Sequence, residues 1–245
     1  MSKSLYIAGS SARAGKGLAA LGVMDVLARK VGRIGLFRPI TPGYEERDAL
    51  IEMLIAQYNL DIEYEDVCPF QYADIAENLS QGNSEKVISQ VVDAYNHIKS
   101  KYDFTLIIGS DFLGPAAASE LELNAMFATN LGSPVMMVVS GNDLGPEEVA
   151  TSAGHARHVF AENGCSLVAT IINRVAANHR DSVLTAMAKH EEIKEPIYVL
   201  REVPVLSALT IDEIAAGLGG NIVCGSGPDL QREGDKYVAG SGYVP

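Results

Sequence analysis

Short runs of apolar residues recur along the chain at positions 5–9, 34–37, 105–109, 135–140, 167–173, 197–200 and 222–224. They are apolar throughout rather than alternating, which is the pattern of strands buried on both faces of a parallel sheet. Between them the apolar positions recur with a helical period. Leu18, Leu21, Met24, Val26 and Leu27 do so after a Gly-rich loop, Ala49, Leu50, Met53 and Leu54 in the next segment, and Val87, Val91 and Tyr95 in a later one. Thr210 and Glu213 have capping-box spacing ahead of Ile214, which predicts a late helix. This alternation predicts an α/β fold with a doubly wound, mainly parallel sheet of about seven strands. Ligands bind such sheets beyond the carboxyl ends of the strands, so function is expected just after each apolar run.

Composition narrows the function classes. The 245 residues, 47% of them hydrophobic, suffice for one large core with a short appendage. The net charge is −12, and no segment gathers the 19 Lys and Arg into a basic stripe. Nucleic-acid binding runs on phosphate neutralisation, so this balance argues against it, and equally against an anionic membrane. Cys68, Cys165 and Cys224 match neither a disulfide framework nor a metal pattern, and read as buried thiols in a reducing compartment. The apolar run near the N-terminus is too short for a signal peptide or a membrane span, so a cytoplasmic location is expected. Residues 226–245 are Gly-rich, with a charged patch and a final YVAGSGYVP. They predict a linker or the start of a following domain after a domain at 1–225, in a chain that is the front piece of a longer protein.

The chemistry concentrates in GSSARAGKG at 9–17. A strand, a Gly-rich turn and a helix place backbone N–H groups around a concavity with a helix N-terminus at its floor, which favours phosphate. Gly9, Ser10, Ser11 and Gly15 would form the cradle, and Lys16 stands where a P-loop lysine reaches phosphate oxygens. Arg13 would add charge to the loop or lie in solvent. The spacing is Gly-x5-Gly-Lys rather than the commoner Gly-x4-Gly-Lys, and a turn with no ligand is the competing reading. Gly17 occupies the position whose Ser or Thr hydroxyl normally binds Mg²⁺, and glycine offers no ligand atom. His155 and His158 are three apart on a predicted helix, with no carboxylate or thiol nearby to complete a metal set. Ser10, Ser11 and Ser110 have no histidine placed as a catalytic partner.

This loop, followed by LFRPI at 36–40, resembles the fold group of dethiobiotin synthetase, and more closely the N-terminal P-loop domain of long bacterial phosphate acetyltransferases. The run from SLYIAG to LFRPI carries the resemblance most specifically. TLIIGSDFLGP, PVMMVVSG, TIINRV and PVLSALTIDEIAAGLGG extend it from residue 5 to about 225, and the tail resembles the start of those proteins' middle domain. The resemblance implies a P-loop NTPase-like fold that binds ATP or another phosphate-bearing ligand, and partnership with the remaining domains of a parent that interconverts acetyl-CoA and acetyl phosphate in acetate metabolism. A homo-oligomer is expected. In ATP-using relatives Mg²⁺ is held by the hydroxyl after the lysine, an Asp after the second strand and a Glu ending the third. Asp48 matches the second, Gly17 and Ile108 stand at the other two, and Asp111 is the candidate substitute. Arg38 matches a basic residue at the relatives' ligand site, or is a surface guanidinium beside a proline turn. Asn173 matches an adenine-recognising Asn of the dethiobiotin synthetase group, or is an ordinary turn residue. The resulting expectation is a non-catalytic, regulatory domain binding a nucleotide or phosphometabolite. An ATP-dependent carboxylate-activating ligase and a structural module with a relic loop stay open as alternatives.

Overall fold

A computed structural model describes residues 3–11, 14–42, 47–111, 120–190 and 192–204, with isolated positions at 210–212, 215, 219 and 227. The apolar runs form parallel strands β1 (Ser4–Gly9), β2 (Ile34–Phe37), β5 (Phe104–Ile108), β6 (Val135–Ser140), β7 (Leu167–Val175) and β8 (Ile197–Arg201). They are ordered β2-β5-β1-β6-β7-β8, six strands among the described residues. The strand predicted at 222–224, the helix-starting residue Glu213 and the tail at 228–245 lie outside them. Two units, Met1–Arg201 and Glu202–Pro245, divide the chain.

The helices are α1 (Lys16–Ala28), α2 (Ala49–Gln57), α3 (Tyr64–Val67), α4 (Tyr72–Ser80), α5 (Ser84–Lys99), α6 (Glu120–Asn130), α7 (Pro146–Glu162) and α8 (Arg180–Met187). Because side chains alternate across a strand, β1 feeds both faces of the sheet. Tyr6 and Ala8 join Phe37, Ile107, Tyr95 and Phe127 under α5 and α6, while Ile7 joins Leu36, Ile108, Met24 and Leu54 under α1 and α2. A third cluster packs β6 and β7 against α7 and α8. A short parallel pair, β3 (Ile40–Thr41) with β4 (Phe70–Gln71), had no counterpart in the hydrophobic pattern, since two residues are too few to show a period.

The first two helices correct the sequence reading of their faces. Leu18, Val26 and Met53 are exposed, whereas Ala19, Ala20 and Met24 of α1 and Ile51 and Leu54 of α2 are buried. Ala19 and Ala20 let α1 lie close on the strands beside Met24, with Leu21, Val23 and Leu27 packed at the edge of the same cluster while Leu18 and Val26 face outward. Neighbouring β1, β5 and β6 run parallel from the sheet's centre, and this brings the loops after β1, β2, β5 and β7 to one carboxyl edge.

Candidate phosphate-binding site

The loop leaves β1 at Gly9 and is pinned on its far side by Ser10, whose N–H donates to the Val138 carbonyl of β6 at 2.8 Å. Gly15 then caps α1 with φ 102° and ψ 27°, a left-handed conformation that glycine adopts without cost. Lys16 begins the helix. Asn173, near the end of β7, is buried and its Nδ2 donates to the Ala14 carbonyl at 3.2 Å. It therefore braces the loop from beneath, through the backbone. Gly9 matters for space: a Cβ there would lie 3.0 Å from the Ser11 carbonyl and 3.1 Å from Lys16 Nζ. Ser11 is exposed, and Arg13 lies outside the described residues.

A chain of charges runs along the loop's mouth. Lys16 is only 5% exposed, and its Nζ donates to Asp111 Oδ1 with Glu120 Oε1 at 3.8 Å. Arg38, buried to the same extent, places Nη2 3.0 Å from Asp111 Oδ2 and Nη1 3.0 Å from Asp48 Oδ2. The reading of Arg38 as a surface guanidinium is thereby corrected. Its backbone N–H donates to Val67, which draws the post-β2 turn inward. Arg38 Nε is buried with no hydrogen-bond partner among the described residues. Asp48 also caps α2 by accepting from the Ile51 N–H at 3.2 Å, and its own N–H donates to the Tyr64 hydroxyl at 2.7 Å. Buried charges persist only when paired in this way, because removing one partner strands the other in a low dielectric.

The chain belongs to the AAA domain family AAA_26, which it matches over residues 3–212. It is 33% identical over 244 residues to a protein named phosphate acetyltransferase from Nitratidesulfovibrio vulgaris, covering 97% of this chain and 34% of that one. A second of that name, from Synechocystis, is 30% identical over 94% of this chain and 33% of its own length. The chain thus spans about a third of the length of the curated relatives it matches. Two solved structures share the fold at 14% identity and a TM-score of 0.51. One is a plasmid partition protein from Borrelia burgdorferi bound to AMPPNP, covering 86% of this chain and 93% of that one. The other is an McdA variant from Cyanothece in complex with ATP, covering 94% and 92%.

In this AAA domain the metal positions do not fit Mg²⁺. Gly17 supplies no ligand atom, and a Cβ there would be in ordinary contact with both methyls of Leu50 at 3.4 Å. Ile108 is fully buried in the apolar cluster under α1 and α2. Asp48 and Asp111 are both engaged by Arg38, and Asp111 by Lys16 as well. Among the described residues no group of three or more His, Cys, Asp or Glu is arranged to hold a metal. His155 and His158 lie exposed on α7, where His158 Nε2 is 3.2 Å from Glu162. No described helix is long and apolar enough to cross a membrane.

One feature of the site carried no sequence signal, and a second, Cys68, read from the sequence as a buried thiol, is half-buried. Asn124 of α6 is buried and accepts at Oδ1 from the Tyr6 hydroxyl at 2.6 Å and the Ser110 N–H at 2.9 Å. Its Nδ2 donates to the carbonyls of Ser110 at 3.0 Å and Glu120 at 2.8 Å. Ser110 Oγ in turn accepts from the Ile40 N–H at 3.1 Å. Burial drives the Tyr6 hydroxyl well above its ordinary pKa, so it remains a donor to Asn124. This network fixes the backbone immediately before Asp111. The other feature is Cys68, near Arg38, whose thiol burial pushes up to about 12 against weaker lowering by Tyr64 and Arg38. Since the thiolate is the nucleophile, Cys68 should react with iodoacetamide at pH 8 on the order of a thousandfold more slowly in the native protein than a free thiol. Peptide mapping after native and denatured labelling checks this, and equal labelling would refute the burial argument.

Proposed function

We propose that this chain is the N-terminal, phosphate-sensing portion of a longer phosphate acetyltransferase, and that it binds a nucleotide or phosphometabolite without hydrolysing it. The observation that carries the reading is the pairing of two buried cations, Lys16 and Arg38, at the mouth of a Gly-rich loop whose metal positions are taken by Gly17 against Leu50 and by Ile108. Phosphoryl transfer depends on metal-held positioning and charge neutralisation, whereas binding needs only the loop N–H groups, the helix N-terminus and the cations. The fold shared with structures that contain AMPPNP and ATP supports a nucleotide as the ligand class. The curated relatives' name supports a parent that transfers acetyl between CoA and phosphate, and in this proposal the domain influences the remainder of that parent. Such influence requires the ligand to bind two states of the parent unequally.

Calorimetry of the chain against ATP, ADP and acetyl phosphate, in EDTA and in Mg²⁺, tests the reading. Dissociation constants on the order of micromolar to millimolar are expected, because a few polar contacts must offset the entropic cost of association. Mg²⁺ should leave them within about threefold, a free-energy change under ~1 kcal/mol. Lys16→Ala should weaken binding by roughly 10- to 100-fold, since a hydrogen bond to a charged group contributes about 1.5–3 kcal/mol. Steady ATP turnover that vanishes in Lys16→Ala would move the assignment to the carboxylate-activating ligases. Absence of any binding would leave a relic loop.

A further inference from the structure

We propose that Asp111 is an internal anion seated at the phosphate position of the loop, and that ligand binds by displacing its carboxylate from Lys16 and Arg38. The inference rests on the phosphate-binding reading above and concerns how that site is regulated. The two oxygens of Asp111 are shared out, Oδ1 to Lys16 Nζ and Oδ2 to Arg38 Nη2, as two oxygens of one phosphate group would be. Lys16 is the loop residue whose spacing directs it at phosphate, yet its ammonium is directed at this carboxylate.

The three carboxylates of the cluster are not equivalent. Asp48 is built into the cap of α2, and Glu120 is buried at the start of α6. Asp111 is 29% exposed while both cations are 5% exposed, so it approaches them from the solvent side. Lys16 and Arg38 are its side-chain partners among the described residues. Asn124 grips the backbone one residue earlier, at Ser110, so a side-chain rotation of Asp111 releases both cations from its own carboxylate without disturbing β5.

Charge counting gives the consequence. Among the described residues, with Asp111 seated, Lys16 and Arg38 face three carboxylates, and an arriving anion meets the Asp111 charge in front of both cations. With Asp111 displaced, two face two, and the unpartnered Nε of Arg38 adds a further donor in the buried cluster. A tethered carboxylate is an intramolecular competitor, so the site favours ligands bearing a multiply charged phosphate group over simple monoanions.

The test compares wild type with Asp111→Asn, binding ATP and inorganic pyrophosphate in EDTA by calorimetry. The Asn variant keeps the shape and removes one like charge, so both ligands should bind on the order of tenfold more tightly or better. The pyrophosphate-induced rise in Tm should also be larger in the variant. A crystal structure of wild type with pyrophosphate should show Asp111 turned away from Lys16, and this readout serves if the variant does not fold. Equal or weaker binding by Asp111→Asn, or Asp111 still seated beside bound pyrophosphate, overturns the displacement proposal while the phosphate-binding reading stands. Failure of wild type and variant alike to bind either probe at millimolar concentration overturns both.

Discussion

Gly15→Ala should cost about 2–5 kcal/mol of stability and abolish phosphate binding, because two independent penalties fall on one methyl group. The backbone at Gly15 has φ 102°, which a residue with a Cβ adopts at a cost of roughly 1–2 kcal/mol. The Cβ itself would lie 2.0 Å from Asn173 Nδ2, far inside contact distance. Asn173 is buried at the end of β7 and holds the Ala14 carbonyl, so it cannot yield without giving up that bond. Moving it strands a buried polar group, at a further cost of about 1–3 kcal/mol. Asn173→Ala alone should cost only the second amount. The double variant should then be less destabilised than the sum of the two, since the clash has no partner left. Urea unfolding of the four proteins measures the cycle. A Gly15→Ala loss below about 1 kcal/mol, or strict additivity, would show that the loop is not braced by Asn173.

The six strands of the main sheet were legible because burial on both faces makes them uninterrupted apolar runs, and their predicted ends fall within two residues of the observed ones, whereas the short pair β3 and β4 was not read. The turn between β1 and α1, with Gly9 ending the strand, Gly15 at positive φ and Lys16 opening the helix, was legible because backbone conformation and helix position follow from local sequence. The faces of α1 and α2 were legible only in part: Leu21, Met24, Leu27, Leu50 and Leu54 pack on the core, whereas Leu18, Val26 and Met53 do not. Close packing on the sheet selects Ala19 and Ala20, and an alanine contributes little to an apolar stripe while Leu18 and Val26 contribute much. The charge chain was legible only in pieces. Lys16 and Asp111 are 95 positions apart, and Arg38 and Asp111 are 73 apart, joined only because β5 inserts between β1 and β2. Sequence spacing carries no record of that insertion. Asn124 and Glu120 lie on a helix whose residues show no motif, and their importance arises from what α6 is packed against.

Asn124→Leu should be as damaging as any change at the loop, although it touches no candidate ligand. Leucine keeps the branched shape of the side chain and is the better helix former, so the expected loss comes from stranded hydrogen-bonding groups and from the larger methyls rather than from the helix. It leaves the Tyr6 hydroxyl and the Ser110 N–H without their acceptor, and the Ser110 carbonyl without its donor, all in the buried interior. At about 1–3 kcal/mol for each of the three stranded groups, the expected cost is about 3–9 kcal/mol. That is a large share of the roughly 5–15 kcal/mol that holds a typical domain together. Tyr6→Phe should be mild alone, because Asn124 keeps its other partners. Added to Asn124→Leu it should restore part of the loss, since no hydroxyl is then buried without an acceptor. A functional consequence follows from position. Ser110 anchors the chain one residue before Asp111, so releasing it should weaken pyrophosphate discrimination as well as stability. Chemical denaturation of Tyr6→Phe, Asn124→Leu and the double variant decides the matter. If Asn124→Leu costs less than about 1 kcal/mol, or Tyr6→Phe deepens rather than relieves its loss, the network does not hold this edge of the site.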